Sequence, residues 1–316
     1  MAQKSSKQRA EEAVLDLNGK LRQLNSELTS KGVTVATNAP LIDTIKAVAM
    51  MKEVREEVPL TLFKDSQLYQ WVDETLPPMK LKEGVAVSLR YTFSEMKSLA
   101  ALPEIAGIER ASNISYMCKS SSALRSVSLP DLPKCTDATE AFSTCASIDT
   151  IAVGNMPICT SFYCFALSSK AVKRINIGDA PVATNVNSVA YDCPALEEFT
   201  ANFGNKINNT RYMFYNCAKL RRINGVLDFS SSTDLSNAFS FCSLLEEVRV
   251  KGLKVDLDLS ACGKLSMDSV RYLVDNLQQS TGKTISLAGA WQTAHTAEAR
   301  EYAQKAAAKG FALTFR

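Results

Sequence analysis

Hydrophobic residues recur along the middle of the chain at a fixed spacing, in the frame Phe-x-x-Cys-x-x-Leu-x-x-Ile. The clearest copies are MFYNCAKLRRI at 213–223, AFSTCASIDTI at 141–151, VAYDCPALEEF at 189–199 and AFSFCSLLEEV at 238–248. Seven copies begin, in order, at Phe93, Cys118, Phe142, Ala166, Ala190, Phe214 and Phe239. Successive copies are 24 or 25 residues apart, and a weaker eighth ends near Cys262 and Leu265. Such a period is typical of proteins in which each repeat buries its apolar side only against its neighbours.

This pattern predicts an α/β repeat fold, a leucine-rich-repeat solenoid of seven or eight repeats. The Leu and Ile positions are expected to form one short strand per repeat in a single parallel sheet, with the Phe and Cys positions filling the opposite wall. The Cys position is held by Cys145, Cys193, Cys217 and Cys242. We interpret these residues as small buried hydrophobes, because a metal site would gather Cys and His at short spacing.

From the second repeat on, one or both of the two positions between Leu and Ile are charged, and the sign of the charge alternates from one repeat to the next. Neighbouring parallel strands lie about 4.8 Å apart, so opposite charges would face each other. One interpretation of these charges is a ladder of ion pairs that fixes the order of the repeats. The other is a candidate binding strip made of Lys173, Arg174, Glu197, Glu198, Arg221, Arg222, Glu246 and Glu247.

Four tyrosines lie near the Ser-, Asn- and Asp-rich turns that separate the repeats. These candidate edge aromatics are Tyr163, Tyr191, Tyr212 and Tyr215. Tyrosine has an apolar ring and a polar hydroxyl, so such a group either stacks on a sugar, anchors a protein contact, or only covers the core.

The N-terminal segment has a different pattern, with apolar residues stepping by three and four. This candidate oligomerisation seam consists of Val14, Leu17, Leu21, Leu24 and Leu28. The spacing predicts a coiled-coil-like helical stalk within 1–58 that assembles a homo-oligomer, most simply a trimer, or docks on other proteins. The alternative is that these helices only close the end of the repeat array.

The remaining boundaries follow from changes in pattern. Residues 59–92 are expected to form a β-containing linker or N-terminal cap, in which VAVSLRYTF at 85–93 alternates like a half-buried strand. The repeats cover 93–265, and 266–316 alternates helix and strand patterns and is predicted to be a C-terminal α/β cap.

Composition narrows the classes of function. The net charge of +3 gives no electrostatic case for binding nucleic acid or anionic membrane, and no apolar run is long enough for membrane insertion. P-loop, G-x-G-x-x-G, G-x-S-x-G and H-E-x-x-H motifs are absent, and the chain has a single histidine, His295. We therefore predict no enzymatic activity, no catalytic residue, no metal and no cofactor.

The repeats MFYNCAKLRRI and AFSFCSLLEEV resemble the BspA-like class of bacterial leucine-rich repeats. The C-terminal segments LSMDSVRYLVDNL, KTISLAG and GFALTF are similar to the ends of repeat proteins encoded by phages and prophages of gut anaerobes, and LNSELTSKGVTVATNAPLIDTIKAV is similar to lead segments of phage tail and fibre proteins. Ala166 and Ala190 depart from the Phe of the motif, and Ser121 and Ser169 depart from its Cys.

The resemblance implies a non-enzymatic virion protein, a tail or head fibre subunit made in the host cytoplasm. Its N-terminus would dock on other virion proteins, and its repeats would bind a glycan or protein on the host surface. The alternative is a bacterial surface adhesin or interaction scaffold. We expect an exported adhesin to carry a signal peptide, and the polar start MAQKSSKQRAEEAV does not resemble one.

Overall fold

The computed structural model describes residues 79–81 and 84–316 of the 316-residue chain. The described part is an α/β arrangement of mostly parallel strands in four sheets, one of six strands, one of three and two of two strands each. The six-stranded sheet takes its strands in sequence order, so each repeat lies beside the next. The predicted oligomerisation seam lies outside the described residues.

The elements follow one another in chain order. The strands are β1 Met79–Lys80, β2 Val87–Ser88, β3 Ile105–Ala106, β4 Ala111–Asn113, β5 Ser126–Leu129, β6 Thr150–Val153, β7 Arg174–Asp179, β8 Glu198–Asn202, β9 Arg222–Asp228, β10 Glu247–Lys251, β11 Leu257–Leu259, β12 Lys283–Leu287 and β13 Phe311–Phe315. The α-helices of the described residues are α1 Met267–Asp275, α2 Gly289–Ala294 and α3 Thr296–Ala308, and a short 3-10 helix spans Ile108–Arg110.

The 24-residue step places equivalent residues side by side in the six-stranded sheet. Ile151 of β6 pairs with Ile175 of β7, which pairs with Phe199 of β8. Their side chains are buried, while the flanking strand residues are exposed or half-buried, as expected of a sheet with one face on the core. The core is therefore continuous from one repeat to the next.

The chain returns from each strand through a run of tight turns that starts with a polar side chain. The oxygen of Asn113, Asp137 or Asn185 accepts a hydrogen bond from the backbone N–H two residues later, which forms an Asx turn. Beyond this turn, alternate backbone N–H groups donate to carbonyls of the next repeat, such as Cys118 to Ala141 and Ala166 to Val189. The polar backbone of the turns is thus satisfied between repeats.

The Cys row does more than fill space. The thiols of Cys145, Cys193 and Cys217 each donate a hydrogen bond of 3.0 Å to a backbone carbonyl oxygen of the previous repeat. The acceptors are, in order, Cys118, Ala166 and Ala190, which hold the first position of the frame. Where the frame has serine instead, the hydroxyl makes the same bond, as Ser169 Oγ does to Phe142 at 2.7 Å. Serine therefore replaces cysteine as an equivalent donor, which explains the two departures from the Cys motif.

This architecture corrects the predicted fold class. The described residues form mostly parallel sheets with three α-helices, and they show neither a helical stalk nor a clear leucine-rich-repeat solenoid. The single sheet expected along all repeats is also wrong, since the strands are divided among four sheets.

Two residues explain where the six-stranded sheet stops. In the first repeat, the strand position is reduced to an isolated bridge between Ala101 and Ser126, because Pro103 has no N–H to donate. After the last repeat, Ser266 accepts a hydrogen bond from the Ser269 backbone and begins α1. A helix therefore packs against β10, at the start of the segment whose sequence alternates helix and strand patterns. The period of the sequence predicts which strands pair, but it does not predict where the sheet is interrupted.

The strand predicted over 85–93 is also shorter than expected. Only Val87–Ser88 is a strand, and Tyr91 has a left-handed backbone with φ of 60°. Of the alternating apolar residues there, Leu89 and Phe93 are buried, whereas Val85 and Tyr91 are exposed.

Candidate functional site

The charged strip lies on the exposed face of the six-stranded sheet. Arg174, Glu198 and Arg222 begin β7, β8 and β9 and are direct neighbours across the strands. Arg222 lies 3.8 Å from Glu198 and 3.5 Å from Glu247, and Arg221 lies 2.7 Å from Glu246. Lys173 pairs at 2.9 Å with Asp149 of the preceding repeat, and a hydrogen bond from Lys173 lowers the pKa of Asp149.

These contacts favour the ladder over the binding strip. The charges of neighbouring repeats neutralise one another, so the face presents no excess charge of either sign to a partner. Because the pairs are about half exposed, each contributes little stability, and their main effect is to match the order of the repeats.

Replacing Arg222 with alanine is expected to lower the free energy of unfolding by less than about 1 kcal/mol, because its two partners are solvated glutamates. Chemical denaturation of the variant and the parent checks the value. A loss of several kcal/mol would contradict a solvated ladder.

Three of the four predicted tyrosines form a cluster on the turns, and a phenylalanine joins them. Tyr191 stacks on Tyr215 with ring centroids 4.9 Å apart and an angle of 7°. Tyr212 contacts both rings edge-on, and Phe241 meets Tyr215 edge-on at 5.2 Å. We call Tyr191, Tyr212, Tyr215 and Phe241 the aromatic edge. It spans three consecutive repeats.

Tyr163 does not belong to this cluster. Its ring makes no contact with the aromatic edge among the described residues, and a hydrogen bond with the thiol of Cys164 raises the pKa of Tyr163. It remains exposed to solvent one repeat away.

Hydrogen-bonding groups border the aromatic edge. Asp192 accepts hydrogen bonds from Asn216 at 2.8 Å and Ser168 at 3.2 Å, and it also pairs with Lys170. Burial alone would raise the pKa of Asp192, but the bonds from Lys170 and Asn216 hold it below its ordinary value. Arg211 lies over the ring of Tyr212 and pairs with Asp234 at 3.3 Å. The border is polar, and these charges are paired.

Phe241 was missed by the sequence reasoning, although the repeats carry a signal for it. Its position, two residues after the Phe of the frame, is polar in every other repeat: Glu95, Ser120, Thr144, Ser168, Asp192 and Asn216. Aligning the turn positions as well as the apolar frame would have singled it out.

A second aromatic group lies outside the aromatic edge. Tyr91 stacks on Tyr116 with ring centroids 4.6 Å apart, and Arg90 lies over both rings.

A groove of about 680 Å³ lies between β9, β10 and α1. Its walls are polar, and Arg271 pairs there with Asp268 at 2.6 Å. Acidic and basic side chains both line it, so it favours no ligand charge.

The described part of the chain contains no group of three or more His, Cys, Asp and Glu residues that could hold a metal ion. Within it, no helix has the length and apolar character needed to cross a bilayer. Comparison of the chain with protein-family models, curated proteins and solved structures finds no match.

Proposed function

We propose that this protein is a non-enzymatic binding protein, a tail or head fibre subunit of a phage virion, whose aromatic edge contacts the surface of the host cell. The observation that supports a binding role is the cluster of four aromatic side chains on the outside of the turns, with Phe241 58% exposed. Exposed aromatic groups of this kind are the usual anchors of recognition surfaces.

The charged strip is the weaker candidate for this contact. Lys173, Arg221 and Arg222 already pair with carboxylates of neighbouring repeats, and a partner would have to break those pairs. The aromatic edge offers apolar area to a partner mainly through Phe241, since Tyr191, Tyr212 and Tyr215 are partly buried. The assignment to a virion rests on the sequence resemblances of the N-terminal segment, the repeats and the C-terminal segments.

Cell binding tests this function. The full chain, labelled with a fluorophore, is incubated with a panel of anaerobic gut bacteria and followed by flow cytometry. We expect saturable binding to a subset of strains, which unlabelled protein displaces. Absence of binding to every strain would contradict a host-contacting role.

Assembly provides a separate test of the fibre assignment. Changing Leu17, Leu21 and Leu24 together to glutamine is expected to convert a trimer into a monomer, because the apolar seam drives association of the helices. Light scattering coupled to size-exclusion chromatography measures the mass. An unchanged mass would remove the seam from assembly, and a monomeric parent would favour the adhesin or scaffold alternative.

A further inference from the structure

Phe241 is an aromatic residue at a turn position that is polar in the other repeats. Its backbone is left-handed, with φ of 64°, and its side chain is 58% exposed. The left-handed backbone belongs to the repeat itself, because the equivalent residues of the other repeats have φ of 55–61°. These residues are Glu95, Ser120, Thr144, Ser168, Asp192 and Asn216, which are all polar. An exposed aromatic side chain that the turn does not require indicates a role outside the folded chain.

The aromatic edge continues across neighbouring repeats. Phe241 contacts Tyr215, and Tyr215 stacks on Tyr191 of the repeat before. Equivalent positions of neighbouring repeats are spaced like strands of a sheet, about 4.8 Å apart. This spacing is close to the length of one sugar ring in a linear glycan, so successive sugars could meet successive repeats.

The polar border matches the same ligand. Asp192 follows Tyr191 and Asn216 follows Tyr215 in the chain. Asp192 accepts hydrogen bonds from Asn216 and Ser168, and each of the three side chains retains a further donor or acceptor for sugar hydroxyls. Since Lys170 neutralises Asp192 and Arg211 pairs with Asp234, the border has no unpaired charge to attract an ionic partner.

We infer that the aromatic edge binds a neutral, linear glycan that runs along the repeats. The C–H groups of the sugars pack against Phe241 and the tyrosine rings, and the sugar hydroxyls exchange hydrogen bonds with the polar border. This inference rests on the proposed function and names the class of ligand. A protein receptor is the alternative that the experiment separates.

The test uses substitutions that the chain already contains at equivalent positions. Phe241→Ser copies Ser120 and Ser168, and Tyr215→Ser copies Ser143 and Ser240, so both variants are expected to fold. Ile158→Ser is the matched control, since Ile158 is 45% exposed and lies outside the aromatic edge. Circular dichroism and thermal unfolding verify that each variant is folded.

Affinity electrophoresis of the full chain is run in gels that contain laminarin, dextran, mannan or xyloglucan. We expect at least one polysaccharide to retard the parent and Ile158→Ser, and the retardation to weaken at least tenfold in Phe241→Ser and Tyr215→Ser. Retardation by none of the four, or equal retardation of all variants, overturns the glycan inference.

Binding is also measured on cells oxidised with periodate, which cleaves vicinal diols of sugars. This measurement distinguishes the glycan inference from the proposed function. Loss of binding on oxidised cells supports a glycan ligand. Binding that depends on Phe241, survives periodate and is not displaced by any of the four polysaccharides overturns the glycan and leaves the proposed function standing, with a protein receptor. If no cell binds while a polysaccharide retards the parent through Phe241, the glycan inference stands and the proposed function falls.

Discussion

The free energy of unfolding is expected to fall steeply above pH 9, because buried thiols keep their protons only in the folded chain. Burial raises the pKa of Cys145, Cys193 and Cys242 to about 12 from an ordinary value near 9. Below pH 9 these thiols are protonated in both states, so their stabilising contribution is complete. Between pH 9 and 12 only the unfolded chain releases the protons, so stability declines. Each thiol contributes about 1.4 kcal/mol per pH unit, which gives roughly 4 kcal/mol per unit for three.

The matched control replaces the three cysteines with serine, which does not titrate in this range and which the chain already uses at Ser121 and Ser169. Guanidinium unfolding under reducing conditions at pH 8, 9, 10 and 10.5 measures both proteins. Their stability curves should diverge with pH, the parent losing more. Parallel curves would mean that the thiols ionise without unfolding.

Removing one thiol donor is expected to have the second-largest effect on stability. Cys217 is fully buried and donates to the carbonyl of Ala190, so Cys217→Ala leaves a buried acceptor without its donor and also leaves a small cavity. Cys217→Ser keeps a donor of similar reach. We expect the alanine variant to be less stable than the serine variant by about 1–3 kcal/mol, the usual penalty for an unsatisfied buried polar group.

Comparing serine with alanine isolates the hydrogen bond, because the two residues differ only by the hydroxyl group. Urea denaturation of both variants at pH 7 gives the difference. Equal stability of the two would show that the Cys row is held by packing alone and would remove the explanation offered for Ser121 and Ser169.

The 24-residue period of the sequence predicts which residues of neighbouring repeats pair, because the strand pairing follows the same period. Ile151 beside Ile175 and Arg222 beside Glu198 both follow from the 24-residue step. The period does not reveal an interruption such as the one at Pro103, and it led to the wrong fold class, whereas the helix that follows Ser266 agrees with the change of pattern at 266. The interruption depends on a single residue that has no counterpart in the other repeats.

The candidate site was only partly predictable for the same reason. The sequence places Tyr191, Tyr212 and Tyr215 near turns, but their stacking depends on the turns of neighbouring repeats being aligned. Phe241 was overlooked because its position lies outside the apolar frame. The sequence identifies the residues of the charged strip. The ion pairs that distinguish a ladder from a binding surface are seen only in the structure.

The most direct test of the account is the affinity of the full chain for a cell strain that it binds. Saturation binding is measured for the parent, Phe241→Ser and Ile158→Ser on the same cells. The account predicts at least a tenfold weaker affinity for Phe241→Ser and an unchanged affinity for Ile158→Ser. Equal affinity of the parent and Phe241→Ser would contradict the aromatic edge as the contact surface.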